Sequence, residues 1–205
     1  MAKMEKKVLM TIALIVMAMA ASVYAGTVTV ATFDDPSVGS AENLFTVNYN
    51  AGTLQGGWLD TGLTLEVPVA GLIYVDATFV LDPMTLDFPS TSDSKSAYYT
   101  NNGRSAIRFY DGTTQVLTIE FDRLWIQDRN SGLNGQDVYG DNVTITGLGI
   151  PVGLTQESFG FTFTNIVDNT SGEVTATASF TSSAVPEPAT MALLALGGLM
   201  IRRRK

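Results

Sequence analysis

Two stretches late in the chain alternate at a period of two for long enough to leave little choice of backbone. Phe159, Phe161 and Phe163 are interleaved with Ser158, Gly160, Thr162 and Thr164. Beyond a turn around Asp168 to Gly172, Val174, Ala176, Ala178 and Phe180 alternate with Thr175, Thr177, Ser179 and Thr181. Successive side chains of an extended strand point to opposite faces. Each stretch therefore has an apolar face and a hydroxyl face, the pattern of an antiparallel sheet that is wet on one side.

The same period recurs upstream, and no long stretch has helical periodicity. Thr27 to Phe33 reads as a strand ended by Asp34-Asp35-Pro36, and Leu72 to Leu81 as another stopped by Asp82-Pro83. Ser105 to Tyr110 and Gln115 to Ile126 flank Asp111-Gly112, a hairpin signal. In the second arm Leu117, Ile119 and Phe121 share a face, and by the same parity Trp125 joins them in the core. Shorter runs at Phe45–Tyr49, Trp58–Val67 and Asn142–Gly147 bring the total to about nine strands, the spacing of a sandwich or jelly roll. The expected fold is all-β, an antiparallel β-sandwich of jelly-roll type. Two polar stretches read as loops: Asp87 to Arg104, and the Asx- and Gly-rich run Asp128 to Asp137.

Two absences narrow the chemistry. The chain has neither cysteine nor histidine. That removes disulfides, thiolate nucleophiles, Cys-based zinc sites, the Ser-His-Asp triad and imidazole bases. What remains is carboxylate, Lys, Tyr or Ser chemistry, or a hard cation.

The charge is also unevenly spread. Lys3, Lys6, Lys7, Arg202, Arg203, Arg204 and Lys205 all sit at the ends. The middle keeps Lys95, Arg104, Arg108, Arg123 and Arg129 against eighteen acids, a balance of −13. Nucleic-acid binding draws its affinity from Lys and Arg on phosphates, so nucleic acid is excluded as a partner.

The ends read as export signals. A basic start (Lys3, Lys6, Lys7), the apolar run Val8 to Ala21 and the small-residue pattern Val23-x-Ala25 form a secretory signal over residues 1–25, cut by signal peptidase between Ala25 and Gly26. At the other end Val185-Pro186-Glu187-Pro188 leads into an apolar run, residues 189–201, and then Arg202, Arg203, Arg204 and Lys205. As a helix that run is about 20 Å long against a hydrocarbon core of ~30 Å, so it spans only a thinned bilayer. The terminal cations stay inside as a membrane stop. A signal helix and a short transmembrane helix thus flank a domain over residues 26–183.

Residues 184–205 resemble the PEP-CTERM sorting tail, with Pro186, Glu187 and Pro188 matching its motif and the short helix and basic end following in order. The resemblance implies an exosortase as processing partner, transient anchoring in the bacterial membrane, and association with exopolysaccharide, biofilm or cell-surface matrix in Gram-negative-type bacteria. It covers the tail alone and implies nothing about the domain's activity.

Within the domain, candidate sites compete with plainer readings. The run from Asp128 begins like a calcium loop, and Asp128, Asn130 and Asp137 are the candidate ligands. Its twelfth position is Tyr139 rather than a carboxylate, which rules out an EF-hand, and Asx-Gly clusters also serve as ordinary turns. Trp58, Tyr98 and Tyr99 are candidate platforms for the apolar face of a sugar, against the alternative of core or edge packing. Paired carboxylates could hydrolyse glycosides without histidine, but the sequence offers no motif that pairs them. The expectation is therefore a non-catalytic surface or matrix protein. A carbohydrate-binding module, with or without calcium, is the alternative, and a glycan-active hydrolase or lyase comes third.

Overall fold

The alternating stretches are strands, and they run further than their apolar residues alone suggest. The computed structural model of the protein describes residues 26–37, 42–48, 50–87, 96–127, 137–169 and 172–186, excepting the side chains of 86–87, 96–102, 126–127, 137 and 168–169. Among these residues lie twelve strands: β1 (Val28–Phe33), β2 (Phe45–Asn48), β3 (Thr53–Trp58), β4 (Leu65–Val67), β5 (Leu72–Tyr74), β6 (Thr78–Asp87), β7 (Ser96–Asp111), β8 (Thr114–Gln127), β9 (Asp137–Asp141), β10 (Thr144–Gly147), β11 (Leu154–Asn169) and β12 (Glu173–Pro186). One 3-10 turn, Pro68–Ala70, joins β4 to β5. The signal helix, residues 1–25, and the tail helix, residues 189–201, lie outside the described residues.

Two compact units are distinguished. Val28–Val152 with Gln156–Ala184 makes up the β-domain, and Met1–Thr27, Gly153–Thr155 and Val185–Lys205 make up the other. In the second unit the Thr155 hydroxyl donates to the Val185 carbonyl at 3.1 Å.

The all-β class is observed, and the sandwich is corrected to a barrel. Pairing runs β2–β3–β6–β7–β8–β9–β11–β12 and returns from β12 to β2, closing an eight-stranded antiparallel ring. Strand β9 makes the difference. It pairs β8 through Arg123–Asp141 to Ile126–Val138, and β11 through Tyr139–Gly160 and its neighbours. The polar loop expected over Asp128 to Asp137 overlaps this strand at Asp137, and residues 138–141 carry too short an alternation to mark it from the sequence. β12 also serves two partners, meeting β2 over Glu173–Ala176 and β1 over Phe180–Ala184. β4 and β5 extend from β1, and β10 pairs with β8. Closure removes open sheet edges from the ring.

Three further boundaries differ. Trp58–Val67 is not one strand: β3 ends at Trp58, and β4 begins at Leu65. The run Leu72–Leu81 is likewise split, by Asp76 in the left-handed region (φ 55°), into β5 and β6. Asp82-Pro83 does not stop β6, because it falls where the register slips between Leu81 and Thr85. Proline's missing N–H costs nothing where the ladder is already interrupted. The Asp82 carboxylate instead accepts the Ala106 N–H at 3.0 Å and pairs with the Arg108 guanidinium. The Asp111-Gly112 hairpin joins β7 to β8, with Gly112 at φ 57°.

Inside the barrel the Phe faces meet. Phe33 lies among Phe79, Phe109, Phe161 and Phe180, with centroids 5.3–6.3 Å apart. Phe45 sits edge-on to Phe161 and Phe163 at 4.9 and 5.0 Å. All of these rings are buried. Such aromatic pairs add to the stabilisation from burial, each by about 0.5–1.5 kcal/mol.

Candidate functional site

Trp125 is not in the core. Phe121 and Leu124 are both buried although three residues apart, so the inward parity of β8 slips by one across Asp122-Arg123. The register to β7 breaks at the same level, between Thr100 and Ser105. Beyond the slip Leu124 points in and Trp125 points out. Its register partner Tyr139 also points out and is 37% exposed, whereas its neighbour Val138 is fully buried. The two rings lie nearly parallel, at 17° with centroids 6.4 Å apart, and the Trp125 indole N–H donates to Asp141 at 2.5 Å.

A row of register partners continues from this pair around the outside. Tyr139 faces Gly160 on β11. The hydroxyl pairs Ser158–Ser183 (2.8 Å) and Thr164–Thr177 (2.9 Å) set β11 against β12 so that Gly160 lies across from Thr181. Thr181 in turn faces Thr32, and Thr32 faces Glu66 on β4. A groove of about 280 Å³ follows the row between Tyr139 and Thr32, bordered by Thr162, Ser179 and Asp34. A second hollow of about 270 Å³ adjoins it at Thr32 and Asp34, lined also by Asp35, Thr64 and Glu66.

Most carboxylates for which contacts are resolved serve the fold. Asp82 holds Arg108, and Glu120 and Asp122 flank Arg104 at 3.5 and 3.4 Å. Burial raises the pKa of Asp35. Hydrogen bonds from Ser37, Thr177 and Thr164 outweigh burial and leave its carboxyl below the usual range. Glu157 goes the other way: burial pushes its carboxyl up, only partly offset by the Ile145 N–H and the Arg104 charge. Among the described residues no group of three or more acidic side chains is arranged to hold a metal ion.

The sequence-predicted residues are placed unevenly. Trp58 is only 4% exposed, with its indole N–H on the Thr61 carbonyl at 3.2 Å, so it offers no face to a sugar. Gly56 and Gly57, just before Trp58, are inside β3, where a Cβ at Gly56 would press on the Phe45 ring. Tyr98 and Tyr99 belong to β7 rather than to a loop, opposite Trp125 and Leu124 in register. Asp137 opens β9, while the candidate calcium ligands Asp128 and Asn130 lie outside the described residues. Gly26 is exposed, and Ala25 lies outside.

The barrel's last strand carries on through the fully buried Ala184, beyond the expected boundary at 183, and ends at Pro186. Glu187, Pro188, Arg202, Arg203, Arg204 and Lys205 lie outside the described residues. Compared with protein families, residues 184–205 match the model of the PEP-CTERM protein-sorting motif. The chain carries a PEP-CTERM tail. No curated protein and no solved structure gives a significant match. The PEP-CTERM tail implies export to the envelope or surface of a bacterium, membrane association and processing by an exosortase.

The PEP-CTERM tail does not touch the question of the outer groove, which sequence reasoning missed. Its only signal was Val138-Tyr139-Gly140-Asp141, a short alternation at the end of an Asx-rich run.

Proposed function

We propose that this is a non-catalytic protein of the cell surface or exopolysaccharide matrix of a Gram-negative-type bacterium, delivered by its PEP-CTERM tail. The observation that carries the reading is the sorting motif at residues 184–205, which starts on the strand that closes the barrel. The disposition of the carboxylates supports a structural role: Asp82, Glu120, Asp122, Asp35 and Asp141 are engaged with Arg, Ser, Thr and Trp partners. The strong negative charge favours solubility and repels copies from one another.

Fractionation of native cells tests the delivery. The full chain is expected at the surface, and a chain lacking residues 187–205, which leaves β12 whole, is expected to lose that location. Recovery of both chains in the same fraction contradicts the reading. Turnover of bacterial polysaccharides tests the non-catalytic role: release of reducing ends that Glu157→Gln or Asp34→Asn abolishes would make the protein a glycan-active enzyme instead. Glycan binding without turnover is the second reading. The outward Trp125–Tyr139 pair favours it, in place of Trp58.

A further inference from the structure

We propose that the outer face of β8, β9, β11, β12 and β1 binds a chain of uncharged or amine-bearing hexopyranoses. The apolar face of one sugar sits on the Trp125–Tyr139 pair, and the following units lie along the hydroxyls of Thr162, Thr181 and Thr32. This deepens the surface role and rests on the barrel facing the outside of the cell.

Four features converge on that ligand. The first is the aromatic pair. Two nearly parallel rings stand on the wet side of a sheet whose described phenylalanine rings are all inside. An aromatic face is an apolar surface with a polar edge, and here the edge is fixed because Asp141 holds the Trp125 indole N–H.

The second is the trough beside it. Gly160, facing Tyr139, leaves a gap in the row where any other residue would place a side chain. A Cβ there would come within 3.2 Å of the Val138 carbonyl. Glycine inside a strand weakens it, and it is often found where another molecule approaches the backbone.

The third is the lining. Beyond the gap come hydroxyls on adjacent strands, Thr162, Ser179, Thr181 and Thr32. Each donates and accepts hydrogen bonds, as a sugar hydroxyl does. From Tyr139 to Thr32 the row crosses three strand spacings, about 14 Å. The groove volume of about 280 Å³ is close to the lower bound of ligand clefts.

The fourth is charge. Among the described residues no Lys or Arg lines the groove, and Asp34 borders it; Glu66 and Asp35 continue into the adjoining hollow. Arg123, the neighbouring outward cation on β8, stands opposite Asp141 in register. With a domain balance of −13, a uronic-acid polymer would be repelled, whereas neutral or amine-bearing sugars would not.

A competing account is that Tyr139 merely covers the Gly160 backbone, as aromatic residues do for glycines in sheets. Binding separates the two. The full-length chain in mild detergent is titrated by calorimetry with cellohexaose, a chitosan hexamer and an alginate hexamer. In a Trp58→Phe background Trp125 is the remaining tryptophan, so its fluorescence reports occupancy directly.

Cellohexaose or the chitosan hexamer is expected to bind and to shift that fluorescence. Tyr139→Ala is expected to weaken binding about tenfold or more. Thr181→Val, which keeps the ring pair and removes a hydroxyl from the groove, is expected to weaken cellohexaose binding too. Thermal melts confirm that each variant is folded. Failure of both oligomers to bind overturns the proposal, as does binding that Tyr139→Ala leaves intact, or alginate binding equally well. None of these failures bears on export, which fractionation scores separately.

Discussion

The barrel depends on β9 sitting against β11, and Gly140 is the residue that lets it do so. Gly140 faces Leu124 in register on the inner side of β9, and its φ is not left-handed. A Cβ there would lie 2.7 Å from Phe159 Cζ and 3.2 Å from Phe121 Cβ, both in buried side chains. Gly140→Ala therefore adds a methyl group to filled space. Overpacking of this kind costs about 1–3 kcal/mol. Stiffening the unfolded chain returns about 0.4–1 kcal/mol, so the net loss is about 1–2 kcal/mol. With a urea slope of about 2 kcal/mol/M, the midpoint falls by about 0.5–1 M at unchanged slope. Phe159→Leu vacates part of the space, so the double variant should recover much of the loss, with a coupling of about 1 kcal/mol. A neutral or stabilising Gly140→Ala with no coupling to Phe159 would refute the closure and leave the ring open between β8 and β11.

The core and the two perturbed carboxylates give further expectations. Phe33→Ala removes a ring with four aromatic neighbours and should cost about 4–5 kcal/mol in urea unfolding; a loss below about 1.5 kcal/mol would mean that β1 is not packed on the ring cluster. The Asp35 carboxyl is depressed in the folded state, so its contribution is present above the unfolded pKa of about 4 and is lost as pH falls through the folded value. Asp35→Asn should thus destabilise the protein near neutrality and match wild type in acid, and a pH-independent difference in melting temperature would contradict this. For Glu157 the sign reverses: its folded pKa is raised, so its contribution is present below the unfolded pKa and is lost as pH rises through the folded value. Glu157→Gln, whose amide oxygen still accepts the Ile145 N–H, should melt higher than wild type at pH 7 and equal to it in strong acid; a lower melting point at pH 7 would contradict the assignment.

How much of this was legible in the sequence depends on what each signal measures. The Phe alternation of β11 reported burial on one face directly. In β12 Thr175 and Thr177 are buried as well as Val174, Ala176 and Ala178, so its hydroxyl face is not wet there, though both strands are where the alternation put them. Their lengths were understated, because a strand continues wherever it finds a ladder partner, whatever its side chains. Asp82-Pro83 misled because punctuation residues are tolerated where the register already slips, and only the partners β3 and β7 define that place. Trp125 went to the wrong face because parity counting assumes an unbroken strand, and the slip at Asp122-Arg123 has no local sequence mark. Closure itself depended on β9, five residues whose pairing is entirely long-range. The outer groove and the ring pair at its end were hidden for the same two reasons, since Trp125 and Tyr139 both lie beyond features that the sequence concealed. The tail was readable because its signal is linear: the motif, the apolar run and the basic end act in order along the chain.

The central claim is that the tail sends this barrel out of the cell, and the intact mass of protein recovered from the native cell surface tests it most directly. The account predicts a chain that starts at Gly26 and lacks the segment beyond Pro188. A surface-recovered protein whose mass corresponds to all 205 residues, ending in Lys205, would contradict it.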